Sequence, residues 1–154
     1  MPAYVAVVGT STADADQAAA AESVGRLLAG RGCVVVCGGL GGVMEAVARG
    51  ARSAGGTVVG LLPGTDRAEG NEHLTVALGT GMGEMRNALV VRAADVVVAV
   101  GGGYGTLSEI AFALRAGVPV VGIGTWELGD VVAAPGPTEA VELALALAQE
   151  RAGA

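Results

Sequence analysis

The chain contains no lysine: all nine of its cationic side chains are arginine. That absence removes the phosphate-binding lysine of a Walker P-loop, the Schiff base of pyridoxal phosphate enzymes and lysine-dependent aldol chemistry together. Any anion site must be built from arginine and backbone N–H groups. Aromatic residues are almost as scarce, with one Trp, two Tyr and one Phe, and the formal net charge is −6 with no basic run. Both phosphate-backbone contact and base stacking lack their residues, which argues against nucleic acid as a partner. The longest apolar runs, such as Val96–Val100 behind Asp95, are too short for a membrane span. Met1–Pro2–Ala3 leads directly into an apolar segment without the basic region and long core of a secretory signal. A soluble cytoplasmic protein with no membrane partner is the expectation.

Cysteine and histidine are nearly absent too. Cys33 and Cys37 lie four apart in "CVVVC", beyond disulfide reach along an extended strand, and no nearby His or further Cys completes a metal site. They read as two buried thiols acting as small hydrophobes. The single His73 follows the polar loop "RAEGNEH" and reads as a solvated loop residue. No metal is expected.

What the chain has is glycine and apolar strand. Its 154 residues, 52% hydrophobic, suffice for one domain spanning residues 1–154. "YVAVVG" (4–9) reads as a buried strand, followed by an Ala-rich helix capped by Asp14 or Asp16 and reaching about Ala29. "CVVVC" gives a second strand, and a helix is expected from about Gly42 to Ala54. "TVVGLLP" (57–63) is the third strand and "LTVAL" (74–78) a short fourth; a helix from about Gly83 precedes the most hydrophobic strand, "DVVVAV". "TLSEIAFALRAG" is the following helix, "VPVVGIGTW" the last strand, and a final helix runs from about Thr138 to Glu150. Continuously apolar strands alternating with helices predict an α/β, Rossmann-like, doubly wound parallel sheet.

The pattern strand–glycines–helix occurs twice, at 33–54 and 95–116, which puts both glycine clusters on the carboxyl edge where open α/β sheets bind ligands. Glycines there let backbone N–H groups approach a ligand, and a helix N-terminus favours an anion. Gly101, Gly102, Gly103, Gly105 and Thr106 are therefore candidates for a phosphate cradle, with Tyr104 a ligand-binding candidate beside them and Gly39, Gly41 and Gly42 at the other turn. The alternative is that the glycines serve only tight turns and close packing. The dinucleotide fingerprint fits poorly, because the first strand is followed by "GTSTAD". Gly9, Thr10 and Ser11 at that turn are further candidates for phosphate or base, or for simple capping.

"GGGYGTLSE" (101–109) resembles the PGGxGTxxE signature of the Lonely Guy family, once mislabelled as lysine decarboxylases. "GGLGGVMEAVARGARSAGGTVVGLLPG" and "GMGEMRNALVVRAADVVVAVGGGYGTLSE" extend the resemblance over nearly the whole chain. It implies hydrolysis of cytokinin nucleoside 5′-monophosphates to base and ribose 5-phosphate. Two departures, Gly101 for the signature's proline and Arg86–Asn87 for Arg-Lys, resemble the molybdenum cofactor carrier proteins of the same superfamily. That branch implies a homo-oligomer that binds a pterin phosphate without transforming it. The expected function is thus a binding or carrier protein for a phosphorylated heterocycle, either the molybdenum cofactor or a nucleotide, with a nucleotide phosphoribohydrolase as the alternative. No cofactor is required, and the absence of lysine opposes the decarboxylase label.

Within this resemblance Arg86 and Glu109 match the family's catalytic positions, and Asn87 adjoins them. Thr106–Leu107–Ser108–Glu109 also fits a capping box, so Glu109 has a structural reading beside the functional one. Arg86 reads either as a phosphate ligand or as a surface salt bridge, beside an expected buried stripe of Met82, Met85, Leu89 and Val90. Arg92 complements the helix dipole. Asn71, Glu72 and His73 occupy a loop able to close over a ligand, and Trp126 is placed either to stack on a ring or to shield the sheet edge. The Ala- and Val-rich faces around Met82–Ala94 and Ile110–Leu114 predict a homodimer or homotetramer.

Overall fold

The most apolar stretches of the chain become strands buried on both faces. In the computed structural model, which describes residues 1–154, β1 (Tyr4–Gly9), β2 (Val34–Cys37), β3 (Thr57–Leu62), β4 (Val76–Gly79), β5 (Val96–Val100), β6 (Val120–Ile123) and β7 (Val131–Ala133) form one sheet. Every pairing is parallel and the order is β4-β3-β2-β1-β5-β6-β7. The chain builds outward from β1 to β4, returns to β5 and builds outward the other way. The switch point therefore lies between β1 and β5, where the two following loops diverge and leave a crevice.

Alternation along the central strands divides the core in two. Val5 and Val7 join Val96 and Val98 on one face, under α1 (Ala15–Gly30), α2 (Val43–Ser53) and α5 (Pro137–Gly153). Ala6 and Val8 join Val97 and Ala99 on the other, under α3 (Arg86–Arg92) and α4 (Tyr104–Arg115). Cys33 and Cys37 are free, buried thiols in the first core, and burial pushes the Cys37 thiol up to about 11. Asp14 caps α1 through a reciprocal capping box, accepting from the Gln17 N–H at 2.8 Å while Gln17 Oε1 accepts from the Asp14 N–H at 3.0 Å. Pro137 occupies the first turn of α5, where its missing N–H is not needed.

Three expectations fail, each for a local reason. A seventh strand, β7, follows the one expected to be last; it has only three residues on the sheet edge, too few to show a period. The helix expected from Gly83 begins as a 3-10 turn over Gly83–Met85, and only Arg86–Arg92 is α-helical. That change of pitch breaks the expected stripe: Val90 is buried, but Met82, Met85 and Leu89 are exposed, Met85 at 70%. Finally, α4 starts at Tyr104 with Gly103 as its N-cap and no side-chain cap, so Thr106 and Glu109 form no capping box.

Candidate functional site

Parallel strands deliver their carboxyl ends to one edge, and the loops leaving β1 and β5 there enclose a cleft of about 340 Å³. Nine of the candidate residues line it: Gly9, Thr10, Ser11, Arg86, Asn87, Gly103, Gly105, Thr106 and Glu109. Gly39, Gly41, Gly42, Gly101, Gly102 and Tyr104 lie outside its walls. Gly38, Leu40, Met44, Pro63 and Glu84 line it without having been singled out. Gly38 and Pro63 directly follow β2 and β3, so the rule that ligands sit beyond strand carboxyl ends would have pointed to them.

Arg86 is the most constrained of these side chains. It is only 7% exposed; its Nε donates to the Leu61 carbonyl at 2.8 Å, Nη2 to the Gly38 carbonyl at 3.2 Å, and Nη1 to Asn87 Oδ1. Gly38 makes room for it, since a Cβ there would stand 2.8 Å from Nη2. All three acceptors are neutral. The ion pairs of the chain involve other residues, so this guanidinium has no carboxylate within salt-bridge distance. Burial lowers its pKa, opposed by the more distant Glu109, Cys37 and Glu84. Three hydrogen bonds leave two of the five guanidinium N–H groups for other acceptors. A buried cation held by neutral groups alone attracts an anion strongly.

Opposite it stands the start of α4. Gly103 and Gly105 have no atom within 4 Å of the position a Cβ would take, and neither has positive φ. Neither packing nor backbone conformation requires glycine at these two positions. The first intrahelical bond is from Leu107 N–H to the Gly103 carbonyl, and no hydrogen bond within the chain engages the N–H groups of residues 102–106. Glu109, one turn further on and free of capping duty, is partly buried. Burial pushes its carboxyl up to about 7, with Arg86 pulling the other way. A group titrating there can hold or yield a proton at neutral pH.

The remaining candidates take other roles. Tyr104 is 83% exposed, and its ring stacks on Trp126 with centroids 6.0 Å apart. Trp126 is half-buried against the second core, and its Nε1 donates to the Gly103 carbonyl at 3.1 Å. Asn71 reaches the first glycine turn instead of the cleft, donating from Nδ2 to the Gly39 and Leu40 carbonyls. Arg92 lies in the last turn of α3. His73 is 3.6 Å from Glu72, and with Glu45 these side chains bring ligand atoms within 4.8 Å of one another, outside the cleft.

Residues 2–151 match the family model described as the SLOG cluster4 family. The chain belongs to that family. An uncharacterized protein of Archaeoglobus fulgidus is 44% identical over 119 residues, 77% of this chain and 78% of its own length. The molybdenum cofactor binding protein of the phototrophic bacterium Rippkaea orientalis superposes with a TM-score of 0.91 at 32% identity, covering 96% of this chain and 98% of that one. The molybdenum cofactor carrier protein of Chlamydomonas reinhardtii gives 0.85 at 31% identity over the same shares. A probable cytokinin riboside 5′-monophosphate phosphoribohydrolase of rice, Oryza sativa, is 38% identical over 94 residues, 60% of this chain and 41% of the rice protein. The Lonely Guy and molybdenum cofactor carrier resemblance drawn from "GGGYGTLSE" and Arg86–Asn87 agrees with these findings. No helix is long and apolar enough to cross a membrane.

Proposed function

We propose that this SLOG-family chain binds and carries a phosphorylated heterocycle, with a pterin phosphate of the molybdenum cofactor type as the first candidate and a nucleotide as the second. The single observation that carries this reading is Arg86, a buried guanidinium with no carboxylate partner lining the same cleft as the open glycines Gly103 and Gly105. A phosphate between them would receive the free N–H groups at the start of α4 on one side and the guanidinium on the other. The molybdenum cofactor would be cargo here. Mass spectrometry of small molecules released from protein purified under native conditions tests the reading. A phosphorylated pterin or nucleotide is expected at near-stoichiometric yield.

One observation favours a second reading, phosphoribohydrolase activity: Glu109, titrating near 7, lines the same cleft and could protonate a departing base. If that reading holds, wild-type protein releases ribose 5-phosphate from nucleoside monophosphates, and Glu109→Gln loses this by roughly a hundredfold or more. The carrier reading expects no release from the wild type.

The assembly proposed with it is a homodimer or homotetramer. Met82, Met85 and Leu89 around α3 and Phe112 on the adjacent α4 leave apolar side chains exposed. Light scattering at micromolar concentration should give at least twice the 14.9 kDa of one chain; the monomer mass would refute it.

A further inference from the structure

The glycine loop after β5 holds its carbonyls in an alternating pattern. Gly101 carbonyl accepts from Thr125 Oγ1 at 2.7 Å, Gly103 carbonyl from Trp126 Nε1 at 3.1 Å, and Gly105 carbonyl from Ser108 Oγ at 2.7 Å. In a trans peptide the carbonyl of one residue and the N–H of the next point in opposite directions, so anchoring the first aims the second. The three anchored peptides therefore carry the N–H groups of Gly102, Tyr104 and Thr106, all without an acceptor in the chain; Thr106 lines the cleft, and Gly102 and Tyr104 flank Gly103, which also does. Two of the three anchors come from consecutive residues of the loop after β6, which is itself tied down by the bond from Gly101 N–H to the Ile123 carbonyl. The Tyr104 ring lies over the Trp126 indole on the outside of this arrangement.

We propose that Thr125 and Trp126 are positioning residues for the phosphate cradle, fixing the peptide planes of the glycine loop so that its N–H groups face the ligand before it arrives. This inference rests on the cradle reading above. Glycine-rich backbone is the most costly to order, because glycine loses the most conformational freedom. Gly105 already lies in α4, and the Gly103 carbonyl also accepts from Leu107 N–H. Without the two side-chain anchors the glycines ahead of the helix, Gly101 to Gly103, would be ordered in part by the ligand, at the expense of affinity. Neither side chain lines the cleft, and each hydrogen-bonds the loop through a carbonyl, so their effect on a ligand must pass through the loop.

The test uses ¹⁵N-labelled full-length protein, inorganic phosphate as probe, and the variants Thr125→Val, Trp126→Phe and Thr125→Ser. In wild type, phosphate should shift the amide resonances of Gly102, Tyr104 and Thr106, and without phosphate these amides should be as rigid on the nanosecond scale as those of β5. Thr125→Val and Trp126→Phe should each weaken phosphate binding by about three- to tenfold, the typical effect of one lost hydrogen bond, and raise the mobility of residues 101–104. Thr125→Ser, which keeps the hydroxyl, should restore both. A purely structural role would lower the melting temperature without moving the loop amides selectively. Unchanged affinity and an equally rigid loop in both damaging variants would overturn the positioning role while leaving the cradle intact. If wild type shows no phosphate shifts at these amides, the cradle reading itself falls, and this inference with it.

Discussion

Two turns of the same design stand on one sheet edge and do opposite things. After β2, Gly38 is closed in by Met44 and Arg86, and Gly42, with φ of 64°, would drive a Cβ to 2.3 Å from the Thr10 carbonyl. The loop leaving β1 is packed into that helix start, and Val43 N–H donates to the Thr10 carbonyl. After β5, Gly103 and Gly105 face open space, and the N–H groups of the first turn of α4 remain free. Glycine in the first turn lets the chain approach itself. In the second, Gly101 and Gly102 likewise have positive φ and close neighbours in Gln17 and Thr106, but Gly103 and Gly105 leave room for something else, which is why one turn is best read as scaffold and the other as receptor.

Substitution at the scaffold turn should have the largest effect. Gly42→Ala combines a left-handed backbone with contact against a backbone carbonyl that has no freedom to retreat. A loss of about 3 kcal/mol or more is expected in urea unfolding, from strain and overlap together. A loss below about 0.5 kcal/mol would show that the two turns are interchangeable.

At the receptor turn the same kind of change should divide stability from binding. For Gly103→Val, the added Cβ meets no atom within 4 Å and the residue sits at an ordinary φ of −103°, so stability should change by less than about 1 kcal/mol. Calorimetric titration with nucleoside monophosphates or the pterin cofactor should nevertheless show affinity reduced by about a hundredfold, as a branched side chain fills phosphate space. Full affinity in a folded variant would remove this turn from the site.

The smallest effect concerns Glu109, which belongs to the receptor turn and carries a stability cost for being there. Its carboxyl titrates near 7 in the folded protein against 4.5 ordinarily. Between those values the unfolded chain is ionised while the folded one still holds its proton, so rising pH progressively disfavours folding, and above about 7 the penalty is constant. Glu109→Gln is neutral throughout. Its melting temperature should match wild type below about pH 4.5, exceed it increasingly toward pH 7, and stay ahead by a few degrees at pH 8, since the partial exposure of the carboxyl screens most of the penalty that its shift implies. A gap that shrinks with rising pH would place the ionised carboxylate in a stabilising contact and reverse the argument.

The doubly wound sheet was legible because its signal is local and repeated. Strands such as "VVVAV" are apolar at every position, as only a sheet covered on both faces demands, and the turns between them are punctuated by glycine. Legibility failed where the local signal was ambiguous or short. Thr106 to Glu109 satisfies a capping pattern, yet the N-cap is Gly103, three residues before Thr106, so the pattern is present without its geometry. The methionines near α3 matched a helical stripe that a 3-10 turn disrupts. Arg86 was recognisable as a site candidate from the family resemblance, whereas its burial was not.

By itself, the sequence determined the class of fold, the placing of both glycine turns on one carboxyl edge, and the dependence of any anion site on arginine and backbone N–H groups in a chain without lysine. These follow from patterns read within a few residues of one another. Tertiary structure alone decided which turn stays open, that Arg86 is buried without a counter-charge, and that Thr125 and Trp126 hold the receptor loop. Each of those depends on partners distant in sequence: Arg86 meets carbonyls 25 and 48 residues away, and Trp126 one 23 residues away. No local periodicity encodes such contacts, because they form only when the sheet brings separate strand ends to one edge.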